Sequence, residues 1–70
     1  MPEAKHSQFQ KAARALGFVA TRQKGSHQRW QHPDGRATTI PIHVTTISGP
    51  LYYAILKQLG MSETEFKALK

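Results

Sequence analysis

Seventy residues with a formal net charge of +6 and a pI near 10.2 describe one small basic domain, residues 1–70, with a thin core. The absence of cysteine excludes a disulfide framework and a thiolate zinc site. No apolar run approaches the roughly 18 residues that span a bilayer, and the polar N-terminus has no signal-peptide hydrophobic region, so a soluble cytoplasmic protein is expected.

Phe9, Ala12, Ala13 and Leu16 fall at i, i+3, i+4 and i+7, which predicts a first helix with one apolar stripe, ended by Gly17. Residues 18–23 read as a first strand, Lys24-Gly25-Ser26 as a turn and residues 27–32 as a second strand. Pro33-Asp34-Gly35 is a hairpin signal, followed by a third strand over residues 36–42. Thr38, Ile40 and Ile42 alternate to one face of that strand. Pro41 lies on the other parity and lacks an amide donor, which suits an edge strand or a strand end.

A connector over residues 44–49 leads to a second helix, opened by Ser48-Gly49-Pro50 with Ser48 as its cap. Leu51, Ala54, Ile55 and Leu59 are its expected apolar stripe, and Gly60 ends it. Ser62-Glu63-Thr64-Glu65 matches a capping box and starts a last helix carrying Phe66 and Leu69. The expected fold class is α+β: an α-β-β-β-α layer of the double-stranded-RNA-binding type. Its three-stranded antiparallel sheet would carry helices on one face and leave the other open.

The charge is unevenly spread. Lys5, Lys11, Arg14, Arg22, Lys24, Arg29, Arg36 and Lys57 stand against one acid, Asp34, between Ala4 and Ser62. Such a surface attracts a polyanion. Membrane binding is disfavoured, since the basic residues do not line one face of a long amphipathic helix.

Within this basic stretch, Arg22-Gln23-Lys24-Gly25-Ser26-His27 sets one histidine directly behind a tight turn among cations. An imidazole gives or takes a proton near neutral pH. It suits the removal of a proton from a ribose 2′-hydroxyl or its delivery to a departing oxygen. Lys24 and the amides around Gly25 and Ser26 could hold the phosphate and offset the charge that grows in the transition state. His27 is therefore the candidate catalytic residue. Arg22, Lys24, Gly25, Ser26, Arg29 and Arg36 are the candidate RNA contacts, while Lys11 and Arg14 read as solvated.

A single histidine leaves half of an acid–base pair unassigned, and Lys24, His43 or water could fill it. His32 reads as part of its turn and His6 as solvated. Trp30 either packs under the helices or stacks on an unpaired base, and at least one of Tyr52 and Tyr53 should be exposed. No metal site is expected, because no histidines lie at i, i+4 on a helix and Asp34 stands alone. Nothing points to a small-molecule cofactor. A non-catalytic RNA-binding module of the same fold is the alternative, and a domain for an acidic protein partner is a third.

The order Gly17-Phe18, Arg22 to His27, His32-Pro33-Asp34-Gly35-Arg36, Ile40-Pro41 and His43 resembles the HicA family of toxins, and the stretch from Leu51 through Phe66 is similar to that family's closing helices. The resemblance covers nearly the whole chain. It implies a double-stranded-RNA-binding-like fold, metal-independent cleavage of mRNA, and neutralisation by a HicB-type antitoxin. The family's catalytic histidine falls on His27, with Gly25 and Ser26 as the turn before it.

Overall fold

The computed structural model describes residues 2–69. In chain order it forms β1 (Glu3–Lys5), α1 (His6–Ala15), β2 (Val19–Lys24), β3 (His27–Gln31), β4 (Ala37–Pro41), β5 (Thr46–Ser48), α2 (Gly49–Leu59) and α3 (Glu63–Ala68). Strands β2, β3 and β4 make a three-stranded antiparallel sheet in that order. The expected α-β-β-β-α layer is present.

Helix α1 buries Phe9, Ala12 and Ala13. It closes through Gly17 at φ 93°, with the Phe18 amide donating to Ala13 O at 2.9 Å and the Gly17 amide to Arg14 O at 3.0 Å. Helix α2 closes the same way at Gly60, through Met61 N to Leu56 O and Gly60 N to Lys57 O, both 3.1 Å. Each reversal turns an apolar residue, Phe18 or Met61, back onto the core.

The buried face of α2 is Tyr52, Ile55, Leu56 and Leu59, while Leu51 is 46% exposed and Ala54 is exposed. The expected stripe was therefore rotated by about one position. Both sets contain Ile55 and Leu59, and the phase that buries the Tyr52 ring removes more apolar surface from water. Tyr52, Phe9 and Phe66 form one aromatic cluster, with Phe9 and Phe66 stacked at 4.6 Å and Tyr52 edge-on to both. This cluster docks α3, whose capping box forms as expected: Glu65 N donates to Ser62 Oγ and Ser62 N to Glu65 Oε1, both 3.1 Å.

The connector over residues 44–49 contains a strand that the sequence did not announce. Strand β5 pairs antiparallel with β1 (Glu3↔Ser48, Ala4↔Ile47, Lys5↔Thr46), burying Ala4 and Ile47. Because Ser48 ends a strand, its backbone is extended (φ −142°, ψ 176°) and its side chain makes no cap hydrogen bond. Ser48 is thus the N-cap by position alone.

The β2–β3 register contains one irregularity, between Ala20 and Arg22. Ala20 pairs with Trp30 and Arg22 with Arg29, so Thr21 is an extra residue, a β-bulge. A regular strand running on from buried Phe18 would turn Arg22 and Lys24 to the same side as Phe18. The bulge reverses that parity. On the helix side of the sheet Trp30, Thr38 and Ile40 are buried against Phe9, Ala12, Ala13, Ile55 and Leu59, and all six residues of β2 are exposed at the sheet edge.

Candidate active site

The β2–β3 hairpin is a two-residue loop, with Lys24 opposite His27 across the ladder and Gly25-Ser26 between them. Gly25 has φ 59°, and among the described residues no non-glycine residue has positive φ, so the left-handed demand of the turn falls on Gly25 alone. This is the pattern of a II′ hairpin, whose twist suits the flanking strands. The turn is tied down from outside: Ile42 N donates to Ser26 O at 2.7 Å, and Gln23 Nε2 donates to Gly25 O at 3.2 Å. Among the described residues the amides of Gly25 and Ser26 donate to no protein group.

Directly opposed residues share a face. The pairs Lys24↔His27 and Arg22↔Arg29 therefore put four predicted site residues together on the helix-free side, and all four are exposed. No carboxylate lies within ion-pair distance of Arg22, Lys24 or Arg29 among the described residues. Like charges directly across a strand pair oppose folding, and the Arg22–Arg29 pair is left without local relief. The arrangement suits an anion lying along β2 and β3. His27 is exposed beside it, and its ring centroid is 6.4 Å from that of His43, with 62° between the planes.

Arg36 is placed elsewhere. Its Nε donates to Asp34 Oδ2 at 2.7 Å, its Nη1 to Leu59 O at 2.6 Å, and its guanidinium carbon lies 5.2 Å over the Phe18 ring. It closes the C-terminal end of α2 and is not grouped with Arg22, Lys24 and Arg29. The Arg36 amide bonded to Asp34, with help from the guanidinium, holds the exposed Asp34 carboxyl below its ordinary value.

Other side chains depart from expectation. Arg14 is not simply solvated, because its guanidinium lies 5.3 Å over the Trp30 ring. Trp30 itself is 2% exposed and its Nε1 donates to Gln28 Oε1 at 3.0 Å, which makes it core and closes the base-stacking alternative. His6 is half-buried and donates from Nδ1 to Val44 O at 2.7 Å. Sequence spacing gave no signal for that bond, which spans 38 positions. His32 does serve its turn: Nε2 donates to Leu16 O at 3.0 Å and Nδ1 accepts from Asp34 N at 3.1 Å. Tyr53 is exposed and Tyr52 buried.

A cavity of about 280 Å³ between α1 and α3 is lined by Ser7, Gln8, Lys11, Phe66 and Leu69. None of the predicted site residues lines it, and the chemistry-bearing groups gather on the open sheet face instead. Among the described residues no three His, Cys, Asp or Glu side chains come together as metal ligands, and no helix is long and apolar enough to cross a membrane.

Fold and site together define a small α-β-β-β-α domain with a basic, histidine-bearing sheet face opposite its helices. The family model described as HicA toxin of bacterial toxin-antitoxin matches residues 7–61 of the chain. The chain belongs to that family, and with it to the toxins of toxin–antitoxin systems, whose partners are antitoxins. No curated protein matches the chain.

Proposed function

We propose that the chain acts as one HicA-like toxin domain, a metal-independent endoribonuclease that cleaves mRNA in the cytoplasm and is neutralised by a HicB-type antitoxin. The observation that carries this reading is the exposed His27 on a face where Lys24, Arg22 and Arg29 have no carboxylate partners. Arg22 and Arg29 position the RNA strand through its phosphates. Lys24 and the amides of Gly25 and Ser26 hold the scissile phosphate and the charge that develops on it.

In the reaction the ribose 2′-oxygen loses its proton, bonds to phosphorus, and displaces the 5′-oxygen, which gains a proton. The products are a 2′,3′-cyclic phosphate and a free 5′-hydroxyl. His27 carries one of the two proton transfers, an effect typically worth about 10²–10⁴ in rate. No cofactor is needed. The cationic face also suits an acidic antitoxin surface, since opposite potentials speed association.

The His27→Ala variant tests the reading. Cleavage and growth arrest should disappear while RNA affinity changes little. Equal cleavage of DNA, or of 2′-deoxy-substituted RNA, would refute the 2′-hydroxyl route. Complete loss of activity in chelator, restored by a divalent metal, would refute the metal-free assignment. If the unaltered chain binds RNA without cutting it, the non-catalytic RNA-binding module is correct.

A further inference from the structure

We infer that His43 is the second proton-transfer group, paired with His27 across one scissile phosphodiester; this rests on the ribonuclease reading above. His43 lies in the segment between β4 and β5, 16 positions from His27 in sequence, yet the two rings stand 6.4 Å apart at 62°. Both side chains are exposed.

The segment is held on both sides of His43. Ile42 N donates to Ser26 O at 2.7 Å, fastening it to the turn that carries His27. Val44 O accepts from His6 Nδ1 at 2.7 Å, fastening it to the start of α1. Ile42 and Val44 pack against the core, so the chain alternates inward, outward, inward, and the outward side chain is the imidazole. An exposed imidazole on a pinned segment is pre-organised for a ligand, and its neighbours supply the packing that a purely structural residue would supply itself.

The separation fits the chemistry. A general acid or base reaches about 2.6–3.2 Å to the oxygen it serves. Two rings at this spacing can flank a single phosphodiester, one at the 2′-oxygen and one at the 5′-oxygen. One neutral ring accepts the 2′-hydroxyl proton as the oxygen–phosphorus bond forms. The other, protonated, gives its proton to the 5′-oxygen as its bond to phosphorus breaks. Protons balance over the step and the two rings exchange protonation states. Lys24 stands opposite His27 and is placed to hold the phosphate between them.

The test uses the full chain on an RNA oligonucleotide at a cleavage site first mapped with unmodified RNA, and on the same oligonucleotide with the 5′-bridging oxygen replaced by sulfur. A thiolate leaves without a proton. His27→Ala and His43→Ala should each lose about 10²–10⁴ in rate on the oxygen substrate, and the sulfur substrate should restore one of them and leave the other slow. The unaltered chain should show a bell-shaped pH–rate profile, and His43→Ala should lose one limb of it.

The charged groups facing the pair are Lys24, Arg22 and Arg29 from β2 and β3, and the titratable side chain behind the segment is His6. Lys24→Ala should weaken RNA binding and keep both limbs, and His6→Gln should also keep both. His43→Gln and thermal melts check that the fold survives. A His43→Ala variant that cuts RNA at the normal rate, or loses rate with neither variant restored by the sulfur substrate, overturns the pairing and leaves the nuclease reading intact. Failure of the unaltered chain to cut RNA overturns both.

Discussion

The Arg36 guanidinium limits what can stand at Gly60, a residue far from it in sequence. Gly60 is left-handed (φ 75°, ψ 29°), and a Cβ built there would lie 2.7 Å from Arg36 Nη1. That nitrogen is the one bonded to Leu59 O at 2.6 Å, and the guanidinium is also held by Asp34 and Phe18, so it cannot swing aside freely. Gly60→Ala therefore combines two costs. Left-handed backbone for an L-residue costs about 1–2 kcal/mol. Losing a hydrogen bond to a charged donor costs about 1.5–3 kcal/mol, and because the Arg36 side chain is 37% exposed the lower half of that range applies.

The sum is about 2.5–4 kcal/mol, against a total stability on the order of 3.5–10 kcal/mol for a chain of this length. Each kcal/mol should lower the melting temperature by about 4–8 °C. In an Arg36→Ala background the same Gly60→Ala change should cost only the backbone strain of about 1–2 kcal/mol. Urea and thermal unfolding of the four chains give the coupling directly. Equal costs in both backgrounds would refute the structural role given to Arg36. In parallel, Arg36→Ala should leave RNA affinity near that of the unaltered chain, whereas Arg29→Gln should reduce it.

Arg29→Gln should raise stability by about 0.2–1 kcal/mol by relieving the cross-strand repulsion with Arg22, while lowering the salt dependence of RNA binding by about one phosphate contact; unchanged salt dependence would remove Arg29 from the RNA path. Burial, and then the bond its hydroxyl donates to Glu63 Oε2 at 3.1 Å, push the Tyr52 phenol up from 10.0 to about 12. Its contribution is whole below pH 10.0 and is lost as pH rises towards about 12, so Tyr52→Phe should flatten that part of the stability curve. Asp34 and Glu65 are both lowered, chiefly by backbone amides of Arg36 and Ser62. Their contributions are present above the ordinary values of 3.8 and 4.5 and fade as pH falls through the lowered ones, and Glu65→Gln should remove the Glu65 share.

The long elements were readable because their signals are local. The stripe from Phe9 to Leu16, the Lys24-Gly25-Ser26 turn and the Ser62–Glu65 box each state their conformation within a few residues. Strands β1 and β5 were not readable, since three residues are too few to show alternation and each is stabilised only by the other. The phase of α2 was ambiguous for a related reason. The expected stripe and the buried one share Ile55 and Leu59, and only the space occupied by Tyr52 against Phe9 and Phe66 sets the phase.

The candidate site divides in the same way. From its residues alone the chain specified a cation-flanked glycine turn with an imidazole behind it, because glycine conformation, charge and proton affinity belong to single side chains. Which cations join that imidazole was decided by pairing. The extra residue at Thr21 turns Arg22 and Lys24 outward, while Asp34, Phe18 and Leu59 capture Arg36. The approach of His43 to His27 was likewise set by two hydrogen bonds from distant segments, and contacts between residues so far apart leave no periodic trace in a sequence.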